Sequence, residues 1–229
     1  MPREGRAGTA GGRAPGRVPR NTLSRARIVE AALQLFDTEE FDAVTMPAVA
    51  KHLGVGTMSL YRHVADKDDL VNAVAESVLA GVAVPAGEAD DWEGRVVGYL
   101  RSLREAAVAH PALARILAER GLTVGPVFEQ LEGVHAVLRA SGFSKAGAVR
   151  TFYALLTYVL GFVVWQLPRV RSGPAGAYAT AWNDAVDQLD PAAYPTLHAL
   201  RCQLTTAASE EQFEYGLARL MRSLSPPGS

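Results

Sequence analysis

A chain of 229 residues can bury a core without a staple, and 48% apolar with 21% charged residues excludes a disordered or low-complexity polymer. One cysteine, Cys202, excludes an intramolecular disulfide, and the N-terminus carries no charged-then-apolar leader, so a cytoplasmic protein is expected. The net charge of −1 excludes a uniformly basic nucleic-acid binder, yet residues 1–27 hold seven arginines and one glutamate, as fits a molecule with one phosphate-facing end.

Residues 1–20, rich in Gly, Ala, Pro and Arg without an apolar period, read as a disordered basic tail. It is either a solvated extension or an arm that follows a DNA backbone or enters a minor groove. Ser24 caps a first helix to about Thr38, in which Ile28, Ala31, Ala32, Leu35 and Phe36 recur at three- and four-residue spacing. Thr45 caps a second, tolerating Pro47 in its first turn, and Gly54 ends it in the left-handed conformation. A third short helix covers about Thr57 to His63, and Asp66 caps a fourth carrying Leu70, Val74 and Val78. After a linker from Pro85 to Asp91, helices are expected at about 92–109, 111–120, 125–140, 144–167, 175–188 and 209–224. No segment alternates like a strand, so the expected fold is all-α. The division is a tail at 1–20, a reading unit at 21–70 and a larger helical unit at 71–229.

The stretch from Thr45 to Val64 is two short helices joined by a glycine turn, the grammar of a helix-turn-helix. With Val55, Leu60 and Val64 inward, the outward residues of the second helix are Thr57, Met58, Ser59, Tyr61, Arg62 and His63. Hydroxyls and a guanidinium reach phosphates or base edges, and a methionine touches a thymine methyl. An ordinary helical hairpin with a solvated face has the same spacing, and His63 beside an aromatic can equally be a packed neutral ring.

The runs Ile28-Val-Glu-Ala-Ala-Leu-Gln-Leu-Phe36, Leu53-Gly-Val55, Ser59-Leu-Tyr-Arg-His63 and Lys67-Asp-Asp-Leu70 resemble the DNA-binding domain of the tetracycline-repressor family. A weaker resemblance to its ligand-binding domain extends through Trp92, Arg101-Ser-Leu-Arg104, Ser141-Gly-Phe143 and Phe213-Glu-Tyr-Gly-Leu217. The resemblance implies a homodimer on a palindromic double-stranded operator, controlled by a small-molecule effector, and most simply a repressor. It places Thr45, Met46 and Pro47 at the opening of the helix over the backbone, Tyr61, His63 and Lys67 at phosphates, and Thr57, Met58 and Arg62 at base edges. Positions matching effector contacts are Ala83, Tyr99, Leu103, Leu117 and Val134, largely apolar here. Arg104 and His135 can add polar contacts, and Phe128, Leu138, Tyr153, Thr157 and Trp165 can form apolar walls, although each also suits a plain core. A mostly apolar or aromatic effector follows.

The uncharged run 151–167 is short of about 20 residues, so no membrane span is expected. A helix apolar all round can instead be buried against both its own domain and a partner. Phe213, Leu217, Leu220 or Met221, and Leu224 make a second stripe, so the helices at 144–167 and 209–224 are expected to form a four-helix dimer interface, unless the second stripe packs only internally. No nucleophile elbow, phosphate loop, dinucleotide fingerprint or paired metal-ligand helix occurs, so neither catalysis, a cofactor nor a metal is expected. A constitutive DNA-binding protein with a filled core and a helical enzyme on a regulator scaffold are the competing readings.

Overall fold

The computed structural model describes residues 23–88, 91–119, 124–171 and 176–224. The basic tail therefore lies outside the described residues. Among those described there are eleven α-helices, one short 3-10 turn and no strand.

The local signals act where the sequence places them. Helix α1, Arg25–Thr38, starts where the Ser24 side chain accepts from the Arg27 amide, and it buries Ile28, Val29, Ala31, Ala32 and Phe36. A 3-10 turn at Phe41–Ala43, absent from the sequence reading, buries Phe41 against Phe36 with ring centroids 5.0 Å apart. Helix α2, Met46–Leu53, is capped by Thr45 and closed by Gly54 at φ 67°, where a side chain would strain the backbone. Helix α3 is shorter than expected: Thr57–Leu60 is α-helical, and the chain then tightens as the amides of His63 and Val64 both bond the Leu60 carbonyl. Helix α4, Lys67–Leu79, is capped by Asp66 and carries Asp68 and Asp69 at its positive end.

The larger unit comprises α5 (Trp92–Ala109), α6 (Pro111–Glu119), α7 (Gly125–Ala140), α8 (Lys145–Arg171), α9 (Ala177–Asp187), α10 (Pro195–Thr205) and α11 (Glu210–Ser223). Helix α8 is its axis, packed by α5, α6, α7 and α11. It buries Ala148, Thr151, Phe152, Leu155, Val159, Val163 and Gln166 along one face. It also runs past Pro168, where the sequence suggests a stop. Pro168 withholds the N–H that the Val164 carbonyl would accept from, but only three helical residues follow it, and the Arg169 guanidinium donates to the Trp165 carbonyl in that last turn. The stretch Lys145–Arg169, 25 residues, is long and apolar enough by composition alone to cross a membrane, a test that core helices also pass; the uncharged run within it is the expected 151–167.

Helix α10 is not among the expected elements. Pro195 in its first turn is the signal for it, but α10 buries no residue, and it packs beside α9. Helix α4 belongs to both units. It contacts α1 at one end of the molecule and α5, α6 and α7 at the other, so the expected boundary at residue 70 falls inside one continuous helix.

Candidate nucleic-acid interface and effector cavity

The reading surface rests on one ionic brace. Arg25 of α1 makes two bonds to Asp69 of α4, at 2.6 and 3.0 Å, and donates to the His63 carbonyl at 2.7 Å. Asp69 also accepts from the Ala65 amide at 2.8 Å. The hydrogen bond from Arg25, then that from Ala65, pull the Asp69 carboxyl down to about 2. Three elements are thereby fixed around the end of the recognition turn.

On this frame Leu60 is fully buried while Met58 is 78% and Tyr61 45% exposed. Arg62 is exposed, with its guanidinium 3.5 Å from the Ser59 hydroxyl, and Thr57, Ser59 and His63 are half-buried around it. Thr45 spends its hydroxyl oxygen on the Ala48 amide at 3.3 Å and keeps its O–H to donate; Pro47 beside it is exposed. Met46 departs from the sequence reading: at 5% exposure its side chain joins the core with Phe36 and Val49, because the first position of α2 faces inward. It offers a duplex only backbone. Lys67 donates to the Phe41 carbonyl at 3.1 Å and stands 5.0 Å over that ring, so a phosphate must share its ammonium, which has three donors.

The residues expected around an effector separate into two groups. Tyr99, Leu103, Val134 and Leu138 are buried together in the core, with Leu117 half-buried against it. His135 is half-buried, its Nδ1 2.7 Å from the Leu131 carbonyl and its ring 5.0 Å from that of Phe152. Arg104 is buried in a set of its own, bonding Glu210 at 2.5 Å and Gln166 at 3.2 Å over the Phe213 ring. Phe128, Tyr153 and Trp165 instead are 56%, 54% and 39% exposed, and Thr157 is exposed too. These four do not wall an enclosed space in one chain, because they lie on outward faces of α7 and α8. Thr157 and Trp165 border a shallow groove of about 470 Å³ with Phe162 and Gln212.

The more enclosed space lies beneath the end of α4. A cavity of about 250 Å³ is lined by Leu79, Ala80, Val82, Ala83 and Val84 above and by Pro126, Glu129, Gln130 and Gly133 of α7 below. Sequence reasoning missed Gln130. The signal was available: Gln130 shares the inward face of α7 with Val134 and Val137, a polar residue at an apolar position.

A third space of about 660 Å³ lies where α1 meets α6 and the end of α8. There Asp37 of α1 places one carboxylate oxygen 2.9 Å from His110 Nδ1, and its other oxygen accepts from the Ala112 amide at 3.2 Å. It caps α6 from another helix.

This arrangement has relatives. The profile described as "Bacterial regulatory proteins, tetR family" matches residues 28–74, and "Tetracyclin repressor-like, C-terminal domain" matches 84–225. The chain belongs to the tetracycline-repressor family. It is a DNA-binding transcriptional regulator. Among family members, the HTH-type transcriptional repressor Rv1353c of Mycobacterium tuberculosis is 32% identical over 206 residues, covering 86% of this chain and 78% of that protein. The HTH-type transcriptional repressor DrrR1 of Streptomyces coeruleorubidus is 29% identical over 220 residues, covering 93% and 81%. The TetR family protein ActR of Streptomyces coelicolor, in its complex with actinorhodin, superposes with a TM-score of 0.74 at 32% identity, covering 89% of this chain and 96% of ActR. Of the two family profiles, the C-terminal one begins at Val84, just past α4, and the N-terminal one ends within it.

Proposed function

We propose that this regulator is a cytoplasmic homodimeric repressor, which holds a palindromic operator through Thr57, Met58, Tyr61, Arg62 and His63 and leaves it when a mostly apolar small molecule enters the larger unit. The observation that carries the reading is the continuity of α4. Asp69 in its first turn braces the recognition turn, and Leu79 at its end lines the cavity. One rigid helix thus spans reader and sensor. An effector that prefers a different seating of α4 shifts the population away from the DNA-competent state, by as much as its affinity differs between the two. ActR, similar along nearly its whole length, is a family member with a bound small molecule, actinorhodin, which supports a ligand-controlled reading over a constitutive one.

Dimerisation rests on the outer face of α8, where Val149, Tyr153, Val164 and Trp165 are 45%, 54%, 48% and 39% exposed, with Arg150 and Thr157 exposed between them. A second copy is the natural cover for such a surface, and this face, with the opposite one packed on the chain's own helices, leaves no side for lipid. We assign the chain no reaction and no cofactor.

The test is an operator selected in vitro with the purified protein, followed by fluorescence anisotropy. Arg62→Ala should weaken binding by about 1–3 kcal/mol and relax preference at one base position. Titration of the complex with aromatic and lipophilic compounds should release DNA. Unchanged affinity and preference in the variant would remove Arg62 from the reader; release by magnesium-tetracycline alone would overturn the apolar effector.

A further inference from the structure

The last carbonyls of an α-helix have no partner within it, and a buried carbonyl without one is costly. At the end of α4 the Leu79 carbonyl accepts from the Val82 amide at 2.9 Å, and a further donor, which also serves the Val82 carbonyl, comes from another helix. Gln130 of α7, 7% exposed, donates from Nε2 to the Leu79 carbonyl at 2.9 Å and to the Val82 carbonyl at 3.0 Å. Its Oε1 accepts from the Tyr99 hydroxyl of α5 at 3.2 Å. Both amide hydrogens and the amide oxygen are used, and the surroundings dictate the orientation: one donor faces the oxygen, two acceptors face the nitrogen. Burial pushes the Tyr99 hydroxyl up to about 12, so it stays a neutral donor through the ordinary pH range.

The chain beyond α4 is laid down closely over the same helices. A Cβ on Gly133 would come 3.1 Å from Val84, and one on Gly98 would come 2.7 Å from Pro85. Arg95 adds a bond from Nε to the Pro85 carbonyl at 3.1 Å. Residues 79–85 thus form a strap seated on α5 and α7, with the Gln130 amide as its central clasp and the cavity directly alongside.

We propose that Gln130 is the positioning residue through which the effector cavity governs operator binding: its amide seats the end of α4, and a ligand in the cavity loosens DNA by unseating it. The inference rests on the regulator reading above. With the clasp closed, the direction of α4, and with it the spacing of two reading units in a dimer, is set before DNA arrives. With it open, that order must be imposed during binding, which lowers affinity.

The experiment uses the full chain and its selected operator. Gln130→Met fills the space without hydrogen bonds; Gln130→Glu keeps an acceptor for Tyr99 but, when ionised, turns a carboxylate toward two carbonyls. Both variants should weaken operator binding at pH 9 by about tenfold relative to the wild type, the cost of leaving the Val82 carbonyl without its donor and the Leu79 carbonyl with the Val82 amide alone. At pH 6 the carboxyl introduced by Gln130→Glu, whose pKa burial raises, regains a proton to donate, so that variant should recover to within about threefold of the wild type at the same pH while Gln130→Met does not. Tyr99→Phe leaves both strap bonds and should lose only about threefold. Folded variants that bind like the wild type, or a Gln130→Glu deficit that ignores pH, would overturn the clasp. Should neither Gln130 variant fold, wild-type affinity in Tyr99→Phe would overturn it. A wild-type chain that selects no operator at all would instead count against the regulator reading.

Discussion

At the scale of single residues, the brace between Arg25 and Asp69 has a pH signature. Asp69 is held at about 2 against an ordinary value of 3.8, so its folded pKa is depressed. Its contribution is fully present above the unfolded value and is lost as pH falls through the folded one. Asp69→Asn should cost about 1 kcal/mol, or about 2–4 °C of melting temperature in a chain of this size, with the difference constant from pH 7 to 5 and closing toward pH 2. Thermal melts of both proteins across that range check it; a gap that widens in acid would contradict the brace. At this scale the sequence was most legible where a residue acts on its own backbone. Ser24, Thr45, Asp66 and Gly54 cap as their chemistry requires. It was least legible where partners are remote: nothing local distinguishes Met46, buried, from Met58, exposed, and the clasp of Gln130 joins residues 31, 48 and 51 positions apart.

Among elements, helix period placed α1, α2 and α4 through α8 and α11 within a few residues, because each buries a stripe at that period. It failed for α10, which buries nothing, and it could not tell which stripe faces a partner. Phe213, Leu217 and Met221 of α11 are buried inside one chain, and Tyr158 of α8 stacks 5.6 Å from Phe213 and donates to its carbonyl. These three side chains of the stripe pack internally, so a part for α11 in the proposed dimer rests on its outer face, where Tyr215 is 56% exposed, beside the exposed apolar residues of α8. Leu217→Glu should then unfold the chain, since an unpaired buried charge costs several kcal/mol. Val164→Glu, at an exposed position, should leave the helix content intact and yield monomer. Light scattering together with circular dichroism distinguishes them, and a dimer unaffected by Val164→Glu would move the interface elsewhere.

For the whole molecule, the family and the all-α fold were legible from a few runs of residues, but the joint between the two units was not. It consists of contacts that cross the boundary: Asp37 capping α6, and α4 packed at one end on α1 and at the other on α5, α6 and α7. This makes the molecule a poor candidate for cutting at residue 70, and it sets a rule for recombining it with relatives. A hybrid regulator that takes residues up to 70 from one parent and the rest from another inherits a helix whose two halves never evolved against the same neighbours. One that crosses over between Pro85 and Glu88 keeps α4 whole, but still asks Asp37 to find its amide and Gln130 to find its two carbonyls in foreign backbone. Of two such hybrids with the same relative, the later junction should fold with the higher melting temperature, and restoring aspartate at 37 and glutamine at 130 where the relative lacks them should raise its response to effector in a reporter strain. Equal behaviour of the two junctions would mean that specificity for DNA and for ligand can be inherited separately. The shared helix predicts that they are inherited together.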